Sequence, residues 1–196
     1  PRQDLPREVE RIPSSVLFAE SSRHALYHDL FTSGIVYADL AFDVSGLPAE
    51  LSDLLPLFGR CVCGCGLPGL PYHEAAGALA LHTGGFGAWL GADTPVFQDP
   101  GSAASQHLVF RLKALEENLL DALDLVSRLL SGADFRDARR VEMLMLELRN
   151  DLKSSLVPGG SQFAALRAGS RLAESLRLEE RWKGVSQLLA MEQACR

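Results

Sequence analysis

Cys61, Cys63 and Cys65 form the densest group of potential metal ligands or nucleophiles in a chain of 196 residues. Three thiolates have the chemistry to hold zinc or another soft metal. Structural zinc sites, however, separate paired cysteines by roughly two to four residues and draw a second ligand pair from elsewhere. No fourth ligand is evident here, because Cys195 is far away in sequence. If a helix reaches Cys63, neighbouring members of the cluster also point to different sides. Buried, inert thiols are therefore expected. Cysteines this close together are poorly placed to pair with one another, so a disulfide framework is not indicated and a reducing compartment is.

The histidines yield less. His24 and His28 have chelate-like spacing, but on a strand they lie roughly 13 Å apart, so an edge or solvent-facing placement is expected unless the segment is helical. His82, just before Thr83-Gly84-Gly85, fits a helix C-terminus near unpaired carbonyls. His24, His28, His73, His82 and His107 form neither H-x-x-E-H nor H-E-x-x-H, since His73-Glu74 is followed by Ala75-Ala76-Gly77. Gly84-Gly85-Phe86-Gly87 lacks the Lys-Ser/Thr of a phosphate loop and reads as turn chemistry. Asp121 with Asp124, Glu116-Glu117 and the charges from Arg136 to Glu142 read as solvated helix faces. Ser14-Ser15 and Ser21-Ser22 have no partnered His or Asp. No catalytic or metal residue is assigned, and substrate-binding residues stay unassigned.

The elements that would carry these residues follow from periodicity. Residues 1–22, rich in Pro and charge, read as an extended interdomain connector, and residues 23–196 as a single α+β domain. His24–Leu30 and Gly34–Val44 read as a hairpin around Thr32-Ser33-Gly34. Leu47–Cys63 has Leu51, Leu54, Leu55 and Phe58 at helical spacing, and Tyr72–His82 is a second helix. Phe86–Leu90 and Gln106–Ala114 form a second strand pair. Helices are expected over Leu115–Leu130, Phe135–Val157, Phe163–Leu178 and Val185–Met191. The order predicts an antiparallel sheet with helices packed on one face, because strict βαβ alternation is absent.

Apolar residues make up 47% of the chain and charged residues 22%, an ordinary globular balance that excludes a largely disordered chain. A net charge of −6 and a pI near 5.4 offer no positive stripe for nucleic acid. No apolar run approaches the roughly 18 to 20 residues that span a bilayer. The start at Pro1, without a signal-like segment, and a helical pattern running to Cys195 without a stop suggest a segment of a longer polypeptide.

Leu30-Phe31-Thr32-Ser33-Gly34-Ile35-Val36-Tyr37-Ala38-Asp39-Leu40-Ala41-Phe42-Asp43 resembles the segment opening the second half of presequence proteases, which are pitrilysin-like zinc peptidases. Asp4-Leu5-Pro6-Arg7-Glu8-Val9 is similar to the approach to that half. Leu51–Phe58 resembles its following helix, Leu81-His82-Thr83-Gly84-Gly85 its Thr-Gly-Gly turn, and Arg181-Trp182-Lys183-Gly184-Val185-Ser186 its Trp-x-Gly segment. The similarity covers nearly the whole chain.

The resemblance implies a peptidase of four related α/β domains that close around unfolded peptides, with this chain as the non-catalytic third. It also implies that zinc is held by an H-x-x-E-H helix in the first domain, which has no counterpart here. The expected partners are the other domains of the same polypeptide and, for the parent enzyme, unfolded peptides, with no nucleic acid and no membrane. A cytoplasmic location, or an organelle matrix in a eukaryote, goes with this. The alternatives are a stand-alone scaffold or binding protein of the same fold and, more weakly, a thiolate metal protein built on Cys61, Cys63 and Cys65. Elemental analysis of protein purified without a tag should find no stoichiometric metal; one metal per chain would revive the thiolate site.

Overall fold

The computed structural model describes residues 12–18, 25–95 and 103–195. The chain divides into two compact units, Pro1–Ile35 and Val36–Arg196. In the first, strand β1 (Ser14–Leu17) pairs antiparallel with β2 (Ala25–His28), from Ser14↔His28 to Leu17↔Ala25. The turn expected at Thr32-Ser33-Gly34 is present. Ser33 and Gly34 have φ of 54° and 77°, and Ile35 N–H donates to the Thr32 carbonyl at 3.1 Å, as in a primed type I turn.

The hairpin expected to use that turn, His24–Leu30 with Gly34–Val44, does not form. β2 belongs to the two-stranded sheet with β1, and β3 (Ile35–Asp43) joins a separate three-stranded sheet. The turn fixes a change of direction but not a partner. β3 alternates Val36, Ala38, Leu40 and Phe42 on one face, and an apolar neighbour exists for that face on β5, where Phe42 and Phe110 meet edge to face at 6.0 Å. Leu26 and Tyr27 of β2 are exposed and offer no such face. His28 thus stands on a strand, as expected, whereas His24 lies outside the described residues.

The three-stranded sheet runs β3-β5-β4, with β4 at Gly85–Asp93 and β5 at Ser105–Leu115. β4 and β5 pair antiparallel from Gly85↔Lys113 to Asp93↔Ser105. Leu90 and Ala92 of β4 and Leu108, Phe110, Leu112 and Ala114 of β5 are buried, while Arg111 and Lys113 between them are exposed. The period of two therefore leaves one sheet face to the helices and the other to solvent. The chain is an α+β fold, as the sequence predicts.

The stretch Leu47–Cys63 is not one helix but two, α1 (Ala49–Ser52) and α2 (Leu55–Gly64). Pro56 explains the break: it has no N–H to give and its ring would meet the carbonyl four residues earlier, so it is accommodated in the first turn of a new helix. α3 spans Tyr72–His82 as predicted. A 3-10 turn at Glu116–Asn118 precedes α4 (Leu119–Gly132), whose Ala122, Leu125, Val126 and Leu129 are buried. α5 (Ala138–Ser155) starts at Asp137, whose carboxylate accepts from Arg140 N–H at 3.1 Å.

Phe163–Leu178 is likewise divided, into α6 (Gly160–Gly169) and α7 (Glu174–Lys183). Leu172 N–H turns back to the Gly169 carbonyl at 2.9 Å and Ala173 is extended, so the first helix closes before the second begins. α8 (Val185–Ala194) follows at once.

Helices α7 and α8 secure the break between α1 and α2. Trp182, 2% exposed, donates Nε1–H to Ser52 Oγ at 2.9 Å. Arg181 grips the Asp53 carboxylate and donates Nη2–H to the Ala49 carbonyl at 2.7 Å. Gln187 Nε2 donates to the Asp53 carbonyl at 3.1 Å. Carbonyls and a hydroxyl left over by the interruption are thus satisfied from a distant part of the chain.

Phe110, 2% exposed and ringed by Phe42 and Phe86, sits in the main apolar cluster. Phe110→Ala should cost about 3–5 kcal/mol in urea unfolding. Leu120→Ala, at a side chain that is 81% exposed, should stay within about 0.5 kcal/mol of the parent.

Candidate functional site

The cysteine cluster resolves into a pair and an outlier. Cys61 is in the last turns of α2 and Cys65 is its C-cap, with Cys65 N–H donating to the Cys61 carbonyl at 2.8 Å. Both are buried and their thiols interact, packed against Leu144 of α5. Cys63 is half-buried on another side of the helix and packs against the main cluster. Burial pushes the Cys61 and Cys63 thiols up to about 12, and burial also raises Cys65, so all three are held as neutral thiols. Neutral thiols are poor ligands and poor nucleophiles.

The described histidines are scattered. His28 shares a 2.7 Å hydrogen bond with Ser14 Oγ, and His107 a 3.1 Å bond with Ser105 Oγ. His73 is 3.9 Å from Glu74, and His82, at the end of α3, is 3.7 Å from Asp121 of α4. Among the described residues no three His, Cys, Asp or Glu side chains come together as a metal site, so they do not fit a zinc ion. Asp124 pairs with Arg128 along one helix at 3.8 Å. Asp134 is held down at about 2, chiefly by the hydrogen-bonded Arg136 side chain, on an exposed turn.

Two segments with a chemical look have structural explanations. Thr83 Oγ1–H donates to the Leu79 carbonyl at 2.7 Å and Gly84 N–H to the Lys113 carbonyl at 2.8 Å, so Thr83-Gly84 closes α3 and launches β4. At the α7–α8 corner, a Cβ on Gly184 would stand 2.5 Å from the Glu180 carbonyl oxygen, so only glycine fits. Beneath it the Glu180 carboxylate, 4% exposed, is met by Arg167 at 3.0 Å and Ser186 N–H at 3.2 Å.

What the fold leaves open is surface beside the sheet. One groove of about 530 Å³ runs along Gly87–Leu90 of β4 and is walled by Leu55 and Gly59 of α2, Leu144 and Leu148 of α5, and Trp182. A second, of about 550 Å³, lies beside Phe42 and Val44 and is lined by Leu47, Leu51, Leu54 and Phe58, many of them close to half exposed. On the open sheet face Arg111 lies 4.6 Å over the Trp89 ring and pairs with Asp39 through two hydrogen bonds of 2.7 and 2.6 Å. The apolar composition of Leu51, Leu54 and Phe58 was visible in sequence, but helical spacing alone assigned those side chains to a core. Only the position of α2, over β4 and not over β3, leaves them uncovered.

Residues 1–193 match the family described as associated with peptidases of the M16 group, subfamily C. The chain is 30% identical over 166 residues to a Mus musculus protein named presequence protease, mitochondrial, which covers 82% of this chain and 15% of that protein. It is 27% identical over 186 residues to presequence protease 1, chloroplastic/mitochondrial, of Arabidopsis thaliana, covering 94% of this chain and 17% of the relative. A presequence protease of Gibberella zeae is 28% identical over 189 residues, with coverage of 95% and 18%. The chain thus spans less than a fifth of the length of these relatives.

For the thiols, the raised values favour the neutral form in the folded state. Their contribution to stability is complete below the unfolded value near 9.0 and is lost as pH climbs toward about 12. The unfolding midpoint in urea should therefore fall between those limits. Mass mapping after iodoacetamide at neutral pH should find Cys61, Cys63 and Cys65 unmodified in the native chain and alkylated in urea; rapid native alkylation would contradict this account.

Proposed function

The chain belongs to this peptidase-associated family, and on that premise we propose that it is a non-catalytic domain of a zinc-dependent metalloendopeptidase that degrades unfolded peptides. The match over residues 1–193 carries this reading. The likeness to proteins named presequence proteases supports it. In this account the metal belongs to a domain outside this chain, and the chain contributes wall and interdomain surface to a chamber that encloses the peptide.

The exposed groove at Phe42, Leu51, Leu54 and Phe58 supports such a role, because contiguous apolar surface of this kind marks contact with another protein surface. The partners are then the remaining domains of the same polypeptide and, in the assembled enzyme, flexible peptides. Among the described residues no helix is long and apolar enough to cross a membrane. The relatives' names support an organelle matrix where the parent is eukaryotic.

The test compares the chain with its parent polypeptide. The chain alone should hydrolyse no unstructured peptide, with or without added zinc, whereas the parent should do so and lose activity to a chelator. Zinc-dependent cleavage by the chain that survives repurification would overturn the non-catalytic assignment. A parent polypeptide without peptidase activity would overturn the peptidase assignment.

A further inference from the structure

Two hydrogen bonds fix the direction of the backbone groups in β4 and β5. Val44 N–H donates to the Gln106 carbonyl at 3.0 Å, so even-numbered residues of β5 address β3 and odd-numbered ones address β4. Ala92 N–H donates to Glu179 Oε1 at 3.1 Å, so even-numbered residues of β4 address the side away from β5. The β4–β5 register is unbroken from Gly85 to Asp93. The N–H and C=O groups of Phe86, Ala88 and Leu90 therefore all point outward, and Ala88 and Leu90 have no hydrogen-bond partner for them among the described residues.

This edge lacks the usual protection. Exposed edges are commonly blunted by charged residues or proline. Gly85-Phe86-Gly87-Ala88-Trp89-Leu90-Gly91-Ala92 contains neither. The opposite edge, β3, carries Asp39 and Asp43. The unguarded edge also opens into the groove of about 530 Å³, whose far wall is Leu144 and Leu148 of α5. Arg60 lines the same groove, and its Nη1 is buried without an acceptor.

We propose that the outer edge of β4 at Ala88 and Leu90 is a docking site for an extended segment of unfolded polypeptide, which adds to the sheet as a fourth strand. The backbone selects this occupant. Donors and acceptors that recur at every second residue match an extended strand, whereas a helix satisfies its own groups and would leave them unpaired. Alternate side chains of the incoming strand enter the groove between Leu55, Leu144 and Leu148, which favours apolar residues at every second position. The Glu179 carboxylate on Ala92 N–H ends the pairing, so the window is short and the contact is sequence-tolerant. The inference rests on the peptide-handling reading above for the source of the strand, not for the geometry.

The experiment uses the chain itself and a short soluble peptide alternating valine with lysine, read by residue-resolved amide hydrogen exchange and by titration. Saturating peptide should slow exchange at Ala88 and Leu90 by about tenfold or more, while Ala41 and Asp43 on the β3 edge stay unchanged. Ala88→Pro removes an outward N–H without touching the β4–β5 ladder, and should weaken binding about tenfold with the unfolding midpoint held. If that variant misfolds, the same peptide N-methylated at alternate residues decides on the unaltered protein: one methylation phase should abolish binding and the other should not. Protection that appears at β3, or nowhere, overturns the proposal, as does protection caused by edge-to-edge pairing of two copies without peptide. These outcomes are independent of peptidase activity in the parent polypeptide, so the two readings fail separately.

Discussion

At Ser52 the chain leaves one helix and at Leu55 it enters another, and an interruption of this kind inside a core exposes polar groups that water does not reach. The groups that meet them come from 128 to 134 positions later in sequence: the Arg181 fork on Asp53, Trp182 on Ser52 and Gln187 on the Asp53 carbonyl. An unmet buried donor or acceptor costs about 1–3 kcal/mol, so the interruption created by Pro56 is tenable only because α7 and α8 pack against it. That packing in turn seats Trp182 in the main cluster beside Leu55, Leu90 and Phe110. The position of α2 over β4, the exposure of the surface beside β3 and the groove along the β4 edge all follow from where this contact holds the helix.

The same contact gives a physical meaning to residues that carry the family likeness. Arg181-Trp182-Lys183-Gly184 supplies two of the groups that meet the α1–α2 break, and then the glycine required for the tight corner into α8. Thr83-Gly84 closes α3 and starts β4. Ser33-Gly34 occupies a turn with positive φ at both central residues. None of these stretches is a reaction centre. They are places where backbone geometry or buried hydrogen bonding tolerates few alternatives, which is why they stand out in a chain without catalytic residues of its own.

Much of the architecture was legible in the sequence. The α3 boundaries, the β4–β5 pairing, the α4 stripe and the helices-on-one-face arrangement follow from local periodicity and local stop signals. The misreadings share one cause. Thr32-Ser33-Gly34 correctly announced a turn, but strand partnership depends on which apolar faces are available across the fold, and β5 lies more than sixty residues onward. The divisions of Leu47–Cys63 and Phe163–Leu178 left the apolar spacing almost undisturbed, so periodicity ran through them. The thiols were correctly expected to be buried, but the contact between Cys61 and Cys65 depended on α2 continuing one residue past Cys63, to Gly64. The surface beside β4 was invisible, because an unpaired edge is defined by what is not beside it.

The long reach between Asp53 and the Arg181–Gln187 segment also orders events during synthesis. The β4–β5 hairpin and α4 have their contacts close in sequence and are free to form as soon as they leave the ribosome. The α1–α2 junction has no such freedom, since its hydrogen-bonding partners are among the last residues of the chain to be made. Until they emerge, a growing polypeptide carries an open helix junction and an uncovered Leu55–Val62 face, so closure of the core is tied to the arrival of α7 and α8.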